Sequence, residues 1–494
     1  MNGRLAAENI PARMLSAGGV AALGLALGWG AVTIPPPVWL GLAGVAGLFV
    51  TVVRPDLVVI LLALSIPLGV EIPIGAIATG FTIGETLYTK TTVSLSPTDF
   101  LLGFLTLALF VRAAVDPDLR RRLHTPLSRP LLAFWLAAGL SLLVQRNTLP
   151  QFAFLICALY WMRLGEVFAV YFIVVAVIRD RVSWERCFRA AFVGAMLSVL
   201  ISLAINLAYP IRGEEWRQPI NLALKYSGEV GNFYILWMGV ILGLLELGPR
   251  LSRRPLYLAL AGLAALDTLV LGKRVLLVAL LVALLAVGML TRRVFRLGLL
   301  LPMLLLLAPL AVVVFPEKLE ERLVATFVSD QETWHTLRDE AREQGVPLGL
   351  VDSLDAVPID PSGRHRLIRW TMAVAGFLKH PVLGVGFWAS PWAGIGLTHN
   401  QFLQVLAEMG LVGFAALSWM MLAMARTLRQ TAVQASGPQG IALRWGLIAS
   451  AISLVVQSFA GSPLVYFSFM LAFLYMMALL VAGSRLADEG VKQT

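Results

Sequence analysis

Apolar segments of roughly 20 residues follow one another along most of this chain, and this spacing constrains the fold more than any other feature. A helix needs a run of about that length to cross the hydrocarbon of a bilayer. The composition agrees, because 58% of the residues are hydrophobic and only 14% are charged. Since backbone groups in lipid must hydrogen-bond within their own segment, such runs form helices. The sequence therefore predicts an all-α, polytopic integral membrane protein.

We predict about 12–14 transmembrane helices from the lengths of these runs. They lie near residues 15–33, 37–53, 57–75, 98–114, 130–145, 150–178, 187–209, 230–248, 255–271, 275–291, 297–315, 401–425, 441–460 and 464–483. Arg163 and Glu166 interrupt the span at 150–178, so its first part is expected to lie along the interface. The first span leads into a second without a processing site, and we expect it to be retained as an anchor.

One long polar stretch divides the chain into three parts. We expect about 11 helices in residues 1–315, on the requirement of roughly 20 apolar residues for each. Residues 316–398 form a large segment that we place outside the cytoplasm. Residues 399–494 then provide about three further helices by the same requirement.

Lysine and arginine predict the orientation, because short basic loops stay on the cytoplasmic side. With both termini inside, most short basic loops are cytoplasmic, including the group from Arg426 to Arg444. The basic residues that then fall in short outer connections are Lys90, Arg146, Arg163, Arg212, Arg217, Lys225, Lys273 and Arg274. Each could snorkel to lipid headgroups or pair with a nearby glutamate. As a set, they suggest a site for an anionic headgroup such as a diphosphate.

Several classes of function have no support in the sequence. The chain has no P-loop, no dinucleotide-binding glycine motif, no paired C-x-x-C units and no H-E-x-x-H motif. We therefore predict no metal site and no ATP-driven mechanism. Cys157 and Cys187 fall on opposite sides of the predicted membrane, so they cannot form a disulfide. Most of the net charge of +10 is explained by the cytoplasmic loops, and no nucleic-acid partner is expected.

The segment that opens with Thr398 and His399 holds the strongest candidate for a catalytic base. The chain has only five histidines, and a neutral imidazole can accept a proton near pH 7. Thr398 and Gln401 fit a capping box, which would make His399 the first residue of the following helix. At that position, the positive end of the helix would favour the neutral imidazole.

A polar stripe continues along the same predicted helix. Asn400, Gln404 and Glu408 lie at positions i, i+4 and i+8, so they share one face. In a helix that crosses lipid, such a face should be turned toward protein. It could form an acceptor groove, hold His399 from behind, or make interhelical hydrogen bonds. Gly410 and Gly413 are expected to permit close helix contact.

Basic residues upstream complete the candidate site. Arg366 and Arg369 lie shortly before a G-x-G turn at Gly384, and Trp370 follows Arg366 by four positions. Lys273 and Arg274 lie at the predicted outer junction between two spans. Guanidinium groups suit a phosphate because their forked donors match its oxygens and their charge does not titrate away.

Together these motifs resemble the O-antigen ligases and the related Wzy-type O-antigen polymerases. The resemblance rests on the pattern H-N-x9-G-x-x-G from His399 to Gly413, and on Arg366 with Trp370 and the G-x-G turn. At Arg274 the match is partial, since the family usually shows Ser-Arg-Gly and this chain has Lys-Arg-Val. The similarity is best from roughly 230 to 425, and the earlier part matches only as a series of apolar helices.

The resemblance implies a GT-C-like fold and an inverting glycosyl transfer that needs no metal, ATP or other cofactor. The implied donor is an undecaprenyl-diphosphate-linked glycan, and the acceptor is lipid A core or a growing glycan. The implied location is the bacterial cytoplasmic (inner) membrane, with a multi-pass chain and an active site that faces the periplasm. The expected function is O-antigen (lipopolysaccharide) ligase, and a Wzy-type polymerase is the alternative because it takes the same donor.

Site roles follow from the matched positions. His399 is expected to activate the acceptor hydroxyl, while Arg366 and Arg274 bind the diphosphate of the carrier. The expected substrate-binding residues are Lys273, Arg217, Arg212, Arg369, Asn400 and Gln404. Whether Arg366 or Arg369, and whether Arg274 or Lys273, contacts the diphosphate stays open. A lipid-glycan transporter is a further alternative, but the candidate groups collect at helix ends and not at the midplane.

Overall fold

A computed structural model describes ten stretches of the chain. These are residues 47–68, 72–83, 86–212, 227–247, 254–270, 274–290, 361–431, 437–459, 461 and 467–493. The chain divides into two compact units, Met1–Pro55 and Asp56–Thr494. In the first unit, the described residues 47–53 are helical. The other elements belong to the second unit, whose first helix begins at the boundary.

In its described part, the second unit consists of helices and one β-hairpin. Its elements are α1 (Pro55–Leu68), β1 (Ile72–Ile83), β2 (Thr86–Leu95), α2 (Pro97–Val115), α3 (Pro117–Leu123), α4 (Ser128–Val144), α5 (Gln151–Val177), α6 (Arg181–Arg212), α7 (Ser227–Leu247), α8 (Arg254–Val270), α9 (Arg274–Leu290), α10 (Pro361–Lys379), α11 (Gln401–Gln430), α12 (Gly437–Ser458) and α13 (Phe467–Gln493). Ten of the predicted spans coincide with α2, α4 to α9 and α11 to α13.

The prediction of a helical, polytopic membrane protein is confirmed. Among the described residues, α2, α5, α6, α11, α12 and α13 contain segments long and apolar enough to cross a membrane. The helices α3 and α4 form a bent pair with an angle of 77° that would supply one more span. The predicted spans 15–33 and 297–315 lie outside the described residues, so the total helix count stays a prediction. The same holds for the domain boundaries, because most of segment 316–398 is not described.

Two local features differ from the sequence analysis. The predicted span at 57–75 ends at Leu68, and an antiparallel hairpin follows, with Ile72 opposite Leu95 and Ile83 opposite Thr86. The hairpin segments contain many threonines and isoleucines, which favour strands, and the glycines of β1 are unfavourable in a helix.

The second difference concerns α5, which is one continuous helix of 27 residues. Arg163 does not interrupt it, because its guanidinium pairs with Asp99 and also with Glu166 at 2.7 Å. Opposite charges close by reduce the cost of placing these groups in an apolar helix. For Arg163, pairing with a nearby glutamate is therefore the correct interpretation.

Helices distant in sequence pack against one another, and small residues let them approach. Between α7 and α12, a Cβ added at Gly239 would lie 2.7 Å from the Cα of Gly446. Between α4 and α5, Trp135 and Trp161 stack with ring centroids 4.4 Å apart. Each of these indoles donates its Nε1–H to the other's backbone carbonyl, at 3.2 and 2.9 Å. This contact fixes α4, which in turn packs against α11 and so supports the site.

Candidate active site

The loop at residues 380–400 joins α10 to α11 and folds back along α11. At this place α11 is broken, because Gly410 has φ 60° and ψ −158° inside the helix. Loop backbone groups take the hydrogen bonds that the broken helix cannot make internally. They join Val385 N to Ala407 O (2.8 Å), Gly386 N to Glu408 O (2.9 Å), Leu411 N to Pro381 O (2.9 Å) and Val412 N to Val382 O (3.2 Å). The loop is thereby held at a fixed register on α11.

Glycine is required on both sides of this contact. A Cβ at Gly410 would lie 2.4 Å from the carbonyl of Val382, and one at Gly384 would lie 2.3 Å from the carbonyl carbon of Glu408. Both glycines also have positive φ, 60° and 68°. Gly410 therefore allows a helix break and a loop contact, and the expectation of close contact between helices is wrong for this residue.

Gly410→Ala is expected to lower the melting temperature strongly. The backbone of Gly410 lies in a region that only glycine adopts readily, and the added methyl meets backbone atoms that cannot move aside. We expect a loss of about 3 kcal/mol or more from the combined strain and clash. Thermal unfolding of the purified protein measures the effect.

Gly262→Ala is the matched control, because nothing lies within 4 Å of a Cβ at this position in α8. Alanine favours a helix over glycine, so this change should leave the melting temperature equal or slightly raised. Equal melting temperatures for the two variants would contradict the assigned role of Gly410.

A buried polar cluster fastens the same loop to α11. The carboxylate of Glu408 accepts hydrogen bonds from the Trp388 backbone N–H at 3.1 Å, the Ser390 hydroxyl at 2.7 Å and the Gln404 amide at 2.6 Å. The other side of the Gln404 amide accepts from the Thr398 N–H at 2.9 Å and the Thr398 hydroxyl at 3.0 Å. Glu408 and Gln404 are 4% and 2% exposed, which confirms that the stripe faces protein.

The side chains of this cluster hold the loop against α11 from behind. Gln401, Gln404 and Glu408 also border a cavity of about 30 Å³, which has room for roughly one water molecule. The side-chain bonds of the cluster are not interhelical, because Ser390, Trp388 and Thr398 all lie in the loop. The stripe therefore positions the loop that ends at His399.

His399 lies at the end of this loop in a left-handed conformation, with φ 52°. Among the described residues, Trp388 is the other non-glycine residue with positive φ, at 59°. A side chain in this region costs about 1–2 kcal/mol, and such strain tends to collect at functional sites. The residues on either side of His399 are anchored, since Thr398 is fully buried and Asn400 is 8% exposed. His399 itself is half-buried.

The predicted capping box is wrong in its register. Asn400 is the N-cap residue, and its side chain accepts from the N–H groups of Phe402 at 3.0 Å and Leu403 at 3.1 Å. Both Thr and Asn are favourable caps, and here the threonine hydroxyl instead donates to the Asn400 carbonyl at 2.8 Å. His399 therefore precedes the helix and is not its first residue. The expectation that the positive end of the helix favours its neutral imidazole rested on that first position and is withdrawn.

Two aromatic rings from neighbouring helices hold Trp388 in place. Its ring stacks on Tyr160 with centroids 4.1 Å apart, and on Phe467 at 6.0 Å. Its carbonyl accepts from the thiol of Cys157 at 3.4 Å. These contacts come from α5 and α13, so two further helices fix the strained part of the loop.

On α10, the two candidate arginines have different surroundings. Arg369 donates to the carbonyls of Ile395 at 3.1 Å and Gly394 at 3.4 Å, so it supports the loop. The indole of Trp370 donates to the Thr398 carbonyl at 2.8 Å, directly before His399. Arg366 is half-buried and lies one turn before Trp370, on the same side of α10. In the described part of the chain its guanidinium has no carboxylate partner.

The remaining predicted residues are described only in part. Arg274 is the first residue of α9 and Arg212 is the last of α6, which agrees with helix ends, but their side chains are outside the described residues. Lys273 and Arg217 lie outside them entirely. Their contribution to the site stays a prediction. Nor do the described residues contain a group of three or more His, Cys, Asp or Glu side chains placed to hold a metal ion.

Several residues of the site were missed by the sequence analysis. On α4, the hydroxyl of Ser141 shares its one proton between the carbonyls of Leu383 at 2.7 Å and Glu408 at 2.6 Å. One turn later, the amide of Gln145 donates to the Gly384 carbonyl at 3.0 Å. The sequence did contain a signal for these contacts. Two polar residues at i and i+4 along an apolar run indicate a polar edge that faces protein.

Comparison with known proteins identifies the segment that contains this site. Residues 256–418 match the family model Wzy_C, described as O-antigen ligase. The match runs from α8 through α10 and the loop into α11, and so includes Arg274, Arg366 and His399. No curated protein matches the chain. Over residues 256–418, this chain is therefore similar to the O-antigen ligases.

Proposed function

We propose that this protein is an O-antigen ligase that transfers a glycan from undecaprenyl diphosphate to a sugar hydroxyl of lipid A core. The observation that carries the proposal is the presentation of His399. This residue lies within the matched family segment, at the end of a loop fastened to α11 by backbone bonds and a buried polar cluster. A base held in this way can meet a hydroxyl without further rearrangement.

In the proposed reaction, the neutral imidazole of His399 takes the proton of the acceptor hydroxyl. The hydroxyl oxygen then forms a bond to the anomeric carbon while the bond from that carbon to the diphosphate breaks. A single displacement inverts the anomeric configuration. The electron pair leaves with undecaprenyl diphosphate, and the imidazolium later releases its proton to solvent.

Arginine stabilises the leaving diphosphate in this proposal. Arg366 is our candidate for the main contact, since it lies on the side of α10 that reaches the His399 loop and lacks a carboxylate partner in the described part of the chain. Further contacts to the diphosphate could come from Arg274, Lys273, Arg217 and Arg212. Fixed guanidinium groups lower the barrier because they bind the charge that develops as the bond breaks.

The distribution of lysine and arginine supports the proposed location. Placing both chain termini in the cytoplasm puts His399 at the outer face of the inner membrane, which is the periplasmic side. The basic groups Arg426 to Arg444, at the other end of α11, then face the cytoplasm. Donor and acceptor are both lipid-linked, so a site at the membrane surface can meet both headgroups.

Product analysis in liposomes tests the proposal. The purified protein receives an undecaprenyl-diphosphate-linked glycan, with or without lipid A core, and mass spectrometry follows each lipid. A ligase adds glycan to lipid A core and leaves the donor unchanged when the acceptor is omitted. A longer glycan on the carrier without acceptor would instead identify a polymerase. Movement of intact donor across the bilayer without any product would identify a transporter and contradict the proposal.

A further inference from the structure

A second concave site lies near the end of α11 opposite to His399. It is a groove of about 380 Å³ between α11 and α12, with Phe473 of α13 at its base. The lining includes Met421, Met424, Leu428, Ile448, Ile452 and Val455. Two arginines join this apolar wall, Arg429 from α11 and Arg444 from α12. The groove is separate from the cluster around Glu408.

Both arginines lie at the same end of the groove. The Nε–H of Arg444 donates to the carbonyl of Leu428 at 2.9 Å, so Arg444 lies beside the last turns of α11. Arg429 is the next residue along that helix and is exposed. From this point Ile448 and Val455 follow along α12 toward the other end. The groove therefore has a cationic end and an apolar body.

Neither arginine has a carboxylate partner in the described part of the chain. Arg444 is half-buried between apolar side chains. An arginine inside a membrane protein normally pairs with an anion or with backbone carbonyls, and here one carbonyl meets only one edge of the guanidinium. The charge at this end is complementary to a phosphate, which accepts forked guanidinium donors.

The length of the groove matches one leaflet of a bilayer. From Arg444 to Val455, α12 advances by roughly 16 Å at 1.5 Å per residue. That is about half of the roughly 30 Å hydrocarbon core. A lipid with its phosphate at Arg444 would therefore place an acyl chain along the apolar body. Its leaflet would be the one opposite to His399.

We propose that this groove binds one anionic glycerophospholipid of the bilayer, with its phosphate on Arg444 and Arg429 and one acyl chain against α11 and α12. Basic pockets between membrane helices on the cytoplasmic side are suited to such headgroups. The site is distinct from the donor site, because it lies in the other leaflet. The bound lipid fills the space between two helices and stabilises their packing, since it binds the folded state.

Native mass spectrometry of the full-length protein in detergent tests the proposed lipid binding. The two probes are phosphatidylglycerol, which is anionic, and phosphatidylcholine, which has no net charge. The wild-type protein should retain one phosphatidylglycerol and bind phosphatidylcholine at least about tenfold more weakly. The double variant Arg429→Gln/Arg444→Gln should bind phosphatidylglycerol about tenfold more weakly than wild type, because it loses charged hydrogen bonds. Arg426→Gln is the matched control, since Arg426 is exposed on the same last turns of α11 and does not line the groove. It should bind as wild type does.

A second variant keeps the arginines and fills the groove. Ala425 is exposed and lines the groove, so Ala425→Trp should block the acyl chain without entering the protein core. It should reduce phosphatidylglycerol binding as strongly as the double variant. Gel filtration and thermal unfolding confirm that each variant folds. Equal binding of the two lipids, or wild-type binding by both the double variant and Ala425→Trp, would overturn the proposal and indicate nonspecific lipid.

Discussion

Replacing His399 by asparagine is expected to abolish glycan transfer while the protein stays folded. A general base contributes about 10²–10⁴-fold to a rate, and an amide cannot take the proton of the acceptor hydroxyl. Asparagine is chosen because His399 has φ 52°, a conformation that asparagine tolerates better than most residues. The melting temperature should therefore stay close to that of the wild type. Alanine at this position would add backbone strain to the loss of the imidazole.

His380→Asn is the matched control for this substitution. His380 is exposed at the end of α10, at the start of the same loop, and the proposed chemistry does not use it. Its variant should transfer glycan at the wild-type rate. The assignment of the base would be wrong if His399→Asn kept more than about a tenth of the wild-type rate, given the expected 10²–10⁴-fold loss.

Arg366→Gln is expected to reduce transfer by about 10²–10³-fold, as for the loss of a group that stabilises developing negative charge. Its melting temperature should change little, because Arg366 forms no ion pair in the described part of the chain. Binding of undecaprenyl diphosphate should weaken in parallel. Arg366→Lys should restore only part of the rate, since an ammonium lacks the forked donors.

Arg369→Gln provides the comparison, and its main expected effect is on stability. Its guanidinium donates to the carbonyls of Ile395 and Gly394, and their loss should cost about 1–3 kcal/mol. The melting temperature should fall, and the loss of activity should follow from a less ordered loop. If Arg369→Gln weakened diphosphate binding and Arg366→Gln did not, the two roles would have to be exchanged.

Much of the fold could be predicted from the sequence because the bilayer imposes a strong pattern. The apolar runs at 98–114, 401–425 and 441–460 all correspond to helices, since such lengths have few other ways to satisfy the backbone in lipid. The hairpin at β1 and β2 was missed because its segments follow an apolar run directly. Periodicity over so short a stretch does not separate strand from helix.

The polar face of α11 could be predicted from the sequence, but the loop residues that bind it could not. The polar stripe of Gln404 and Glu408 showed that one face of α11 meets protein. Its partners Ser390 and Trp388 come from a loop, and contacts of this kind depend on tertiary proximity. The break at Gly410 was missed because a glycine in an apolar helix fits close packing equally well.

The N-cap residue of α11 also could not be predicted from the local sequence. Thr398 and Asn400 are both good capping residues two positions apart, and local preference does not choose between them. The choice is made by Trp370 and Gln404, which bind Thr398 from outside the loop. As a result Thr398 is drawn into the polar cluster, Asn400 caps the helix, and His399 is left between them with positive φ.

The most direct measurement is the mass of lipid A core after incubation with undecaprenyl-diphosphate-linked glycan and either wild-type protein or His399→Asn in liposomes. The proposed function predicts that lipid A core gains the mass of the glycan with the wild-type protein. With His399→Asn the gain should be about 10²–10⁴-fold slower, although the variant still binds undecaprenyl diphosphate. Equal amounts of glycan-modified lipid A core from the two proteins would contradict the central role of His399.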